Sequence, residues 1–220
     1  MTELEAIKAR HAVRNYTTQP LSSTIIDELN EEIEQCNRLG QLHIRLVTEN
    51  EAAFKSFMPL FGRFKNVKNY IVLAAKKRDD LYMACGYFGA RLMIKAQQLG
   101  LNTCYVTNTY NAKKCQGSLA SDEELVGVIA IGYGMTNGTP HKSKSMEKLC
   151  KPCSEEWFIN GMNAAVLAPT GLNRQNFFIE ANENTVSIRT KDNNPMSQID
   201  AGIVKYHFEI GAGQENFNWE

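Results

Sequence analysis

Apolar and polar residues follow two periods along this chain, one typical of helices and one of strands. A helical period over residues 23–37, after the Ser22–Ser23 cap, predicts an amphipathic helix. Residues 42–48 alternate like a half-buried strand, and residues 69–75 form the short apolar run of a central strand. Residues 83–99 are apolar on nearly every side, which predicts a helix between two layers.

The rest of the chain continues this mixture. The further predicted elements are a helix from the Thr2–Glu5 capping box to about Ala9, strand 103–106, a short helix begun by a Ser121–Glu124 capping box, a strand over residues 125–134, helix 154–166, strands 176–181 and 185–190, and a closing helix from about Ser197 to Ile210. The periodicities therefore indicate a protein of mixed helices and strands.

Two parts of the chain repeat one order of elements. The first runs from helix 23–37 to helix 83–99, and the second from helix 154–166 to helix 197–210, each with two strands between the helices. The connecting loops differ, since the first part has only "CNRLGQ" where the second has "LAPTGLNRQ". This order predicts an internal repeat whose copies pair to bury a shared face, with chance alternation of helices and strands as the alternative.

Composition limits the classes of function. A chain of 220 residues with 43% hydrophobic and 22% charged residues is expected to form a globular domain. A formal net charge of zero argues against nucleic acid as a partner. No apolar run reaches the roughly 18 residues of a membrane span, and the polar N-terminus has no secretory pattern. We therefore expect a cytoplasmic protein whose six cysteines are reduced thiols.

Two polar segments are candidates for chemistry. Arg10 and Arg14 lie at the end of the first short helix, where their charges suit either a solvated surface or a bound phosphate. Residues 168–175 place two amides and a guanidinium in a turn stiffened by Pro169 and Gly171. That turn is either a solvated connection or a set of donors and acceptors for a planar, heteroatom-rich ligand.

Four motifs resemble those of the nitroreductase family of FMN-dependent oxidoreductases. The family's Arg-x-Ser-x-Arg/Lys motif is matched by Arg10-His11-Ala12-Val13-Arg14, which Tyr16 and Pro20 follow, and its Gly-Leu-Gly-Thr-Cys-Trp motif is matched by Gly100-Leu101-Asn102-Thr103-Cys104-Tyr105. Its strand end with a following basic pair is matched by Gly132-Tyr133 and then His141-Lys142-Ser143-Lys144. Its Pro-Ser-x-x-Asn-x-Gln loop is matched by Pro169-Thr170-Gly171-Leu172-Asn173-Arg174-Gln175. The chain thus resembles this family over nearly its whole length.

The order of the motifs resembles a single-chain branch of the family. The Asn-Gln loop, which ordinary members carry early, stands here in the second half. The resemblance implies an α+β fold with a mixed or antiparallel sheet flanked by helices and an internal pseudo-two-fold repeat. It implies one nitroreductase-like domain over residues 1–220, with halves of approximately 1–150 and 151–220. One flavin pocket per chain would lie between the halves of a monomer, with a homodimer as the alternative.

The resemblance also implies roles for individual residues. The phosphate of FMN would be held by Arg10, His11, Ala12 and Arg14 together with Lys142 and Lys144. Ala12 replaces the Ser of the family motif and so removes one hydroxyl donor.

The ring of the flavin would be met by other residues. Asn173 would hydrogen-bond the polar edge of the isoalloxazine, on a loop built by Pro169, Thr170, Gly171 and Gln175. Thr107 and Asn108 fall where the family places backbone amides near the flavin N5. No side-chain acid or base and no metal ligand is expected.

The implied activity is reduction of a small acceptor, of the nitro or quinone type, with electrons from NADH or NADPH by ping-pong hydride transfer. One alternative is a protein that holds or senses FMN without turnover. Another is a metal- or thiol-based module centred on Cys150 and Cys153, whose CxxC spacing is also that of redox pairs and of half a zinc site. We expect that pair to be incidental.

Overall fold

The structure is a computed structural model that describes residues 1–55, 64–116 and 119–220. These residues form two compact units. The sheet unit comprises Arg10–Leu81 and Leu92–Thr139. The loop unit comprises Met1–Ala9, Tyr82–Arg91 and Pro140–Glu220. Each unit is built from segments that are distant in sequence. The predicted halves, 1–150 and 151–220, are instead continuous in sequence because they describe a repeat. That division stays a prediction.

The helices and strands follow one another as an α+β chain. The helices are α1 (Glu3–Ala9), α2 (Ser23–Gly40), α3 (Leu81–Gln98), α4 (Ala112–Gln116), α5 (Glu156–Ala165) and α6 (Pro195–Ala212). The strands are β1 (Arg45–Val47), β2 (Asn69–Lys76), β3 (Asn102–Val106), β4 (Glu123–Gly132), β5 (Phe177–Asn182), β6 (Thr185–Thr190) and β7 (Asn218–Trp219). Among the described helices, none combines the length and the apolar character needed to cross a bilayer.

The sheet unit is organised by a four-stranded antiparallel sheet of order β1-β2-β4-β3. The two central strands, β2 and β4, are buried along most of their length because both faces are covered. One core cluster includes Tyr70, Val106 and Val128. A second includes Val13 and Tyr16, whose hydroxyl donates to the Val13 carbonyl at 2.7 Å. This second cluster ties the segment after α1 to the unit.

The loop unit combines a small sheet with a pair of close helices. Its sheet has the order β5-β6-β7, in which β6 pairs antiparallel with β5 and parallel with β7. Helix α5 packs against α6 through Phe158 and Phe208, whose ring centroids lie 5.6 Å apart. Trp157, Phe217 and Trp219 extend this aromatic cluster to the C-terminus. Aromatic burial of this kind supplies much of the apolar contact area of a small unit.

Most predicted elements are confirmed, with one marked change of length. The Thr2–Glu5 capping box forms as predicted, with reciprocal backbone-to-side-chain bonds of 2.8 and 3.2 Å. The strand predicted over residues 42–48 is limited to β1. Its shortening has a local cause, because the Asn37 side chain of α2 bonds both the amide and the carbonyl of Ile44 at 2.7 and 2.9 Å.

The helix predicted from a Ser121–Glu124 capping box is wrong. Ser121 lies in a turn, and β4 begins at Glu123, where the ladder with β2 pairs Lys76 with Glu123. The Glu123 carboxylate accepts from the Ala120 amide at 2.8 Å, so it closes the turn before the strand. Long-range strand pairing therefore outweighs a local capping pattern here, and the short helix of this region, α4, lies earlier in the chain.

A reciprocal backbone contact joins α3 and α6 within the loop unit. A Cβ atom added to Gly86 would lie 2.1 Å from the Ile199 carbonyl oxygen, and one added to Gly202 would lie 2.0 Å from that of Met83. Each carbonyl belongs to the residue three positions before the facing glycine, so the two helices make equivalent contacts. Such reciprocity is typical of an isologous interface. The predicted two-fold repeat stays a prediction.

Substitution of either glycine should destabilise the protein. Gly86→Ala or Gly202→Ala forces a methyl group into a backbone carbonyl, and overpacking of this kind costs about 2 kcal/mol or more. We expect a loss of roughly 5 °C in Tm by thermal unfolding. Asn30→Ala, at an exposed position of α2, is the matched helix control and should change Tm little or raise it. An unchanged Tm in both glycine variants would contradict the close approach.

Candidate functional site

The basic segment after α1 lies along an edge of the four-stranded sheet. Ala12 forms a parallel bridge with Thr103 of β3, and the Val13 amide donates to the Thr103 carbonyl at 3.0 Å. Because β3 is an edge strand, the segment extends the sheet by one short pairing. Arg10 and Arg14 leave the backbone two residues to either side of Ala12. The pairing with β3 thus fixes the backbone positions from which both arginine side chains extend.

Arg10 is a buried cation to which the described residues give no countercharge. Its residue is 3% exposed, and its Nε has no hydrogen-bond partner among the described residues. It also forms no ion pair within that part of the chain. Burial lowers the pKa of the Arg10 guanidinium to about 10, which still leaves it charged at neutral pH. A buried and incompletely bonded charge is costly, so its surroundings suit an anionic ligand.

The nearest titratable neighbour of Arg10 does not supply that anion. Burial raises the pKa of the Cys104 thiol, and Arg14 and Arg10 oppose this rise. The thiol therefore stays neutral near pH 7. Both guanidiniums act on Cys104, so the two positive charges lie in one neighbourhood. A shared dianion would relieve their mutual repulsion.

The other predicted residues of the sheet unit lie on the same pair of segments. His11 is half-buried and Ala12 is exposed. Thr107 is half-buried and Asn108 is exposed, and they directly follow the last residue of β3 as predicted. The N-terminal motif thus pairs with β3, the edge strand that Thr107 and Asn108 follow in the chain.

The loop from Pro169 to Gln175 has an unusual backbone. Leu172, Asn173 and Gln175 have φ values of 54°, 55° and 47°. None of them is glycine, and each left-handed residue of this kind costs on the order of 1 kcal/mol. The loop keeps this conformation only because its surroundings impose it.

Gln175 is the centre of the bonds that impose it. The residue is 2% exposed, and its Nε2 donates to the Lys142 carbonyl at 2.9 Å and to Asn173 Oδ1 at 2.8 Å. Its Oε1 accepts from the Lys144 amide at 2.7 Å, and its own amide donates to Thr170 Oγ1 at 3.0 Å. Both donors of the side-chain amide are thereby satisfied. Gln175 therefore connects both ends of the loop with the backbone of residues 142–144.

Asn173 and Lys144 are partly engaged within the same loop unit. Asn173 Nδ2 donates to the Lys142 carbonyl at 2.9 Å, which leaves its second N–H and part of Oδ1 available. Lys144 Nζ donates to the carbonyls of Arg174 and Gln175 at 2.5 and 3.0 Å. The Lys144 ammonium therefore braces the loop from residues 174–175. Lys142 is exposed and contributes its backbone carbonyl to the network.

One residue of this network was not predicted from the sequence. Both carboxylate oxygens of Asp200, on α6, accept from the Gly171 amide, at 2.9 and 3.1 Å. Asp200 is 8% exposed, and burial raises the pKa of its carboxyl to about 6. The sequence signal that could have found it is the acidic residue inside the apolar run "IDAGIV". An acidic side chain is rarely buried in a helix whose role is apolar packing alone.

Cys150 and Cys153 lie in a segment that pairs with β5, not at the start of a helix. The Ile179 amide donates to the Leu149 carbonyl, and the Lys151 amide donates to the Ile179 carbonyl, at 2.9 and 3.1 Å. Burial raises the pKa of the Cys150 thiol, and neighbouring Cys153 raises it further. The six cysteines, all within the described ranges, form no disulfide with one another. Those ranges also contain no group of three or more His, Cys, Asp or Glu residues placed to hold a metal ion.

Comparisons with solved structures give the same fold. A Thermotoga maritima protein described as a "putative nitroreductase" is 19% identical, with a TM-score of 0.68 over 96% of this chain and 83% of that one. An "FMN-dependent nitroreductase" of Clostridium difficile is 18% identical, with a TM-score of 0.50 over 66% of this chain and 92% of that one. A "putative nitroreductase in complex with FMN" of Desulfovibrio desulfuricans is 16% identical, with a TM-score of 0.56 over 70% and 99%.

The comparison with families covers almost the entire chain. No curated protein matches the sequence at a significant level. The family described as "Putative TM nitroreductase" matches residues 3–212. This match confirms the predicted resemblance and the α+β nitroreductase-like fold. The chain belongs to this nitroreductase family.

Proposed function

We propose that the protein is an FMN-dependent oxidoreductase that takes electrons from NADH or NADPH and reduces a small acceptor of the nitro or quinone type by a ping-pong cycle. Family membership supports the general class, oxidoreductase. The descriptions of similar solved proteins as FMN-dependent or FMN-bound support the cofactor. The observation within this chain that carries the proposal is Arg10, a buried guanidinium whose charge no described residue neutralises.

The residues of the sheet unit fit the phosphate of FMN. A phosphate monoester carries nearly two negative charges at neutral pH and accepts charge-assisted bonds from guanidinium groups. Arg10 and Arg14, which both act on Cys104, provide two such groups in one neighbourhood. His11 and the backbone at Ala12 lie between them in the sequence. We assign the phosphate to this segment.

The loop unit offers groups that fit a flavin ring. The polar edge of an isoalloxazine alternates donors and acceptors, which matches the donor and acceptor that Asn173 retains. The Asn173 amide donates to the Thr170 carbonyl at 2.9 Å, and Asn173 Oδ1 accepts from Gln175 at 2.8 Å, so both residues help to hold Asn173 in its left-handed conformation. Pro169 and Gly171 complete the proposed loop. Lys142 and Lys144 are proposed as cationic neighbours of the cofactor, although the bonds of Lys144 to two carbonyls give it a role in the loop as well.

FMN, when bound, supplies the two-electron redox chemistry. The chain's own contribution is to bind and orient, with Thr107 and Asn108 assigned to the neighbourhood of N5. No side-chain acid or base is needed for transfer of a hydride between stacked rings. Nitro compounds and quinones are proposed as acceptors because both take up electron pairs from reduced flavins.

The first test is an anaerobic visible spectrum of the protein with FMN. We expect a bound flavin band that bleaches on addition of NADPH or NADH and returns when a quinone or nitro compound is added. A band that persists with both nicotinamides would reject turnover and favour an FMN-holding protein. Absence of bound flavin would reject the proposal as a whole.

Arg10→Met should separate binding of the phosphate from folding. Loss of a charge-assisted bond costs about 1.5–3 kcal/mol, so we expect FMN affinity to fall at least tenfold. Affinity for riboflavin, which lacks the phosphate, should not change. Thermal stability should hold or rise because a buried charge is removed. The control is Arg38→Met, at an exposed position of α2. An equal loss for both ligands would contradict the phosphate assignment.

Lys144→Met should give the opposite pattern. Removal of the ammonium frees the carbonyls of Arg174 and Gln175, and the loop then loses its brace. We expect FMN and riboflavin affinities, measured by fluorescence titration, to fall together by about fivefold to tenfold, the cost of roughly one hydrogen bond. Lys142→Met is the matched comparison, because Lys142 enters the network through its carbonyl only. If Lys144→Met lowers FMN affinity alone, Lys144 is a phosphate ligand and not a brace.

A further inference from the structure

Asp200 has surroundings that a carboxylate does not normally occupy. Its neighbours along α6 are buried, with Ile199 at 4%, Ala201 at 2% and Ile203 at 2% exposure. A carboxylate can accept about four hydrogen bonds. The only donor that the described residues give to Asp200 is the Gly171 amide, which both oxygens share at 2.9 and 3.1 Å. Within the described residues, the Asp200 carboxylate is therefore placed to bind that one amide.

Gly171 is seated directly on α6. A Cβ atom at Gly171 would lie 2.7 Å from Met196 Sδ and 3.7 Å from Asp200 Oδ2, so a side chain at this position would require the flexible Met196 side chain to move. Met196 and Asp200 are four residues apart and share one face of α6.

The loop is thus held at two points. Asp200 holds Gly171 at its beginning, and Lys144 holds the carbonyls of Arg174 and Gln175 at its end. The left-handed residues Leu172 and Asn173 lie between these two points. Because their conformation is unfavourable by itself, release of either point would weaken the hold on both residues, although the bonds of Gln175 would remain.

We propose that Asp200 is a positioning residue of the flavin loop: its carboxylate fixes the Gly171 amide and thereby holds Asn173 in the conformation that meets the flavin ring. This inference rests on the proposed flavin function. Asp200 acts through the backbone of the loop and not by contact with the cofactor.

The charge of Asp200 makes this contact dependent on pH. Burial raises the pKa of the carboxyl to about 6; Asp192, in the connection before α6, also raises it, whereas the Gly171 amide and Arg174 lower it. Met196, which shares this face of α6, is uncharged. Because the folded-state pKa is raised above the ordinary value, the ionised carboxylate costs folding stability as pH rises through 6. The protein is therefore less stable with the charge, and the charge strengthens the bond to Gly171.

The test compares riboflavin affinity from pH 5 to pH 8 in the wild type, Asp200→Asn and Asp200→Ala. Riboflavin is used because the FMN phosphate itself titrates near pH 6. We expect the wild-type affinity to fall severalfold below pH 6, and Asp200→Asn to show no such step. Asp200→Ala should bind at least tenfold more weakly at every pH. Asp27→Asn, at an exposed position of α2, is the matched control and should keep the wild-type profile.

Either of two results in that series would overturn the proposal. One is an Asp200→Asn variant that keeps the acid step of the wild type. The other is an Asp200→Ala variant that folds and binds riboflavin as tightly as the wild type. Thermal unfolding is an independent test of the buried charge. Asp200→Asn should raise Tm at pH 7, where the carboxyl is ionised, and have little effect on Tm at pH 4.5, where it is protonated.

A second measurement needs no flavin and separates this inference from the proposed function. The Gly171 amide, followed by 1H–15N correlation spectra of the protein alone, should shift with a midpoint near pH 6 in the wild type. It should not titrate in Asp200→Asn. A Gly171 amide that is insensitive to pH would overturn the contact itself. If Gly171 titrates as expected but no flavin binds to the wild type, the proposed function fails and the role of Asp200 in flavin binding fails with it, while its hold on Gly171 stands.

Discussion

The close approach of α3 and α6 is the constraint on which the loop unit depends. At Gly86 and Gly202 each helix meets a backbone carbonyl of the other, so neither helix can slide or rotate without a clash. Asp200 stands two residues before Gly202, and its direction is therefore set by this crossing. The same helix packs on α5 through the ring of Phe208. The packing of α6 therefore fixes the position of the Asp200 carboxylate that binds the loop.

The loop from Pro169 to Gln175 stores strain and is held by polar bonds rather than by apolar packing. Leu172 is 75% exposed and left-handed, which neither hydrophobic burial nor backbone preference explains. The bonds made by Gln175, Lys144 and Asp200 offset this strain. A loop stabilised in this way keeps a fixed conformation before any ligand arrives, which lowers the entropy cost of binding.

The two units each contain a buried charge that lowers stability. Within the part of the chain that the structure describes, Arg10 in the sheet unit has no countercharge, and Asp200 in the loop unit accepts from a single backbone amide. Apolar residues of similar size would be cheaper to bury at either position. Perturbed charged groups of this kind are found preferentially at functional sites. They are a physical reason, independent of the family, to propose binding sites at these two places.

The sequence by itself determined elements whose signals are local: the Thr2–Glu5 capping box, helices α1, α2, α3, α5 and α6 and the apolar central strands formed near their predicted positions. Its motifs also identified the family, and they singled out the segments around Arg10 and Asn173 as candidates. Only the tertiary structure decided the rest. Strand pairing replaced the helix predicted at Ser121–Glu124, and a bond across 29 residues made Asp200 part of the loop. Such outcomes depend on contacts between distant residues, which no local pattern records.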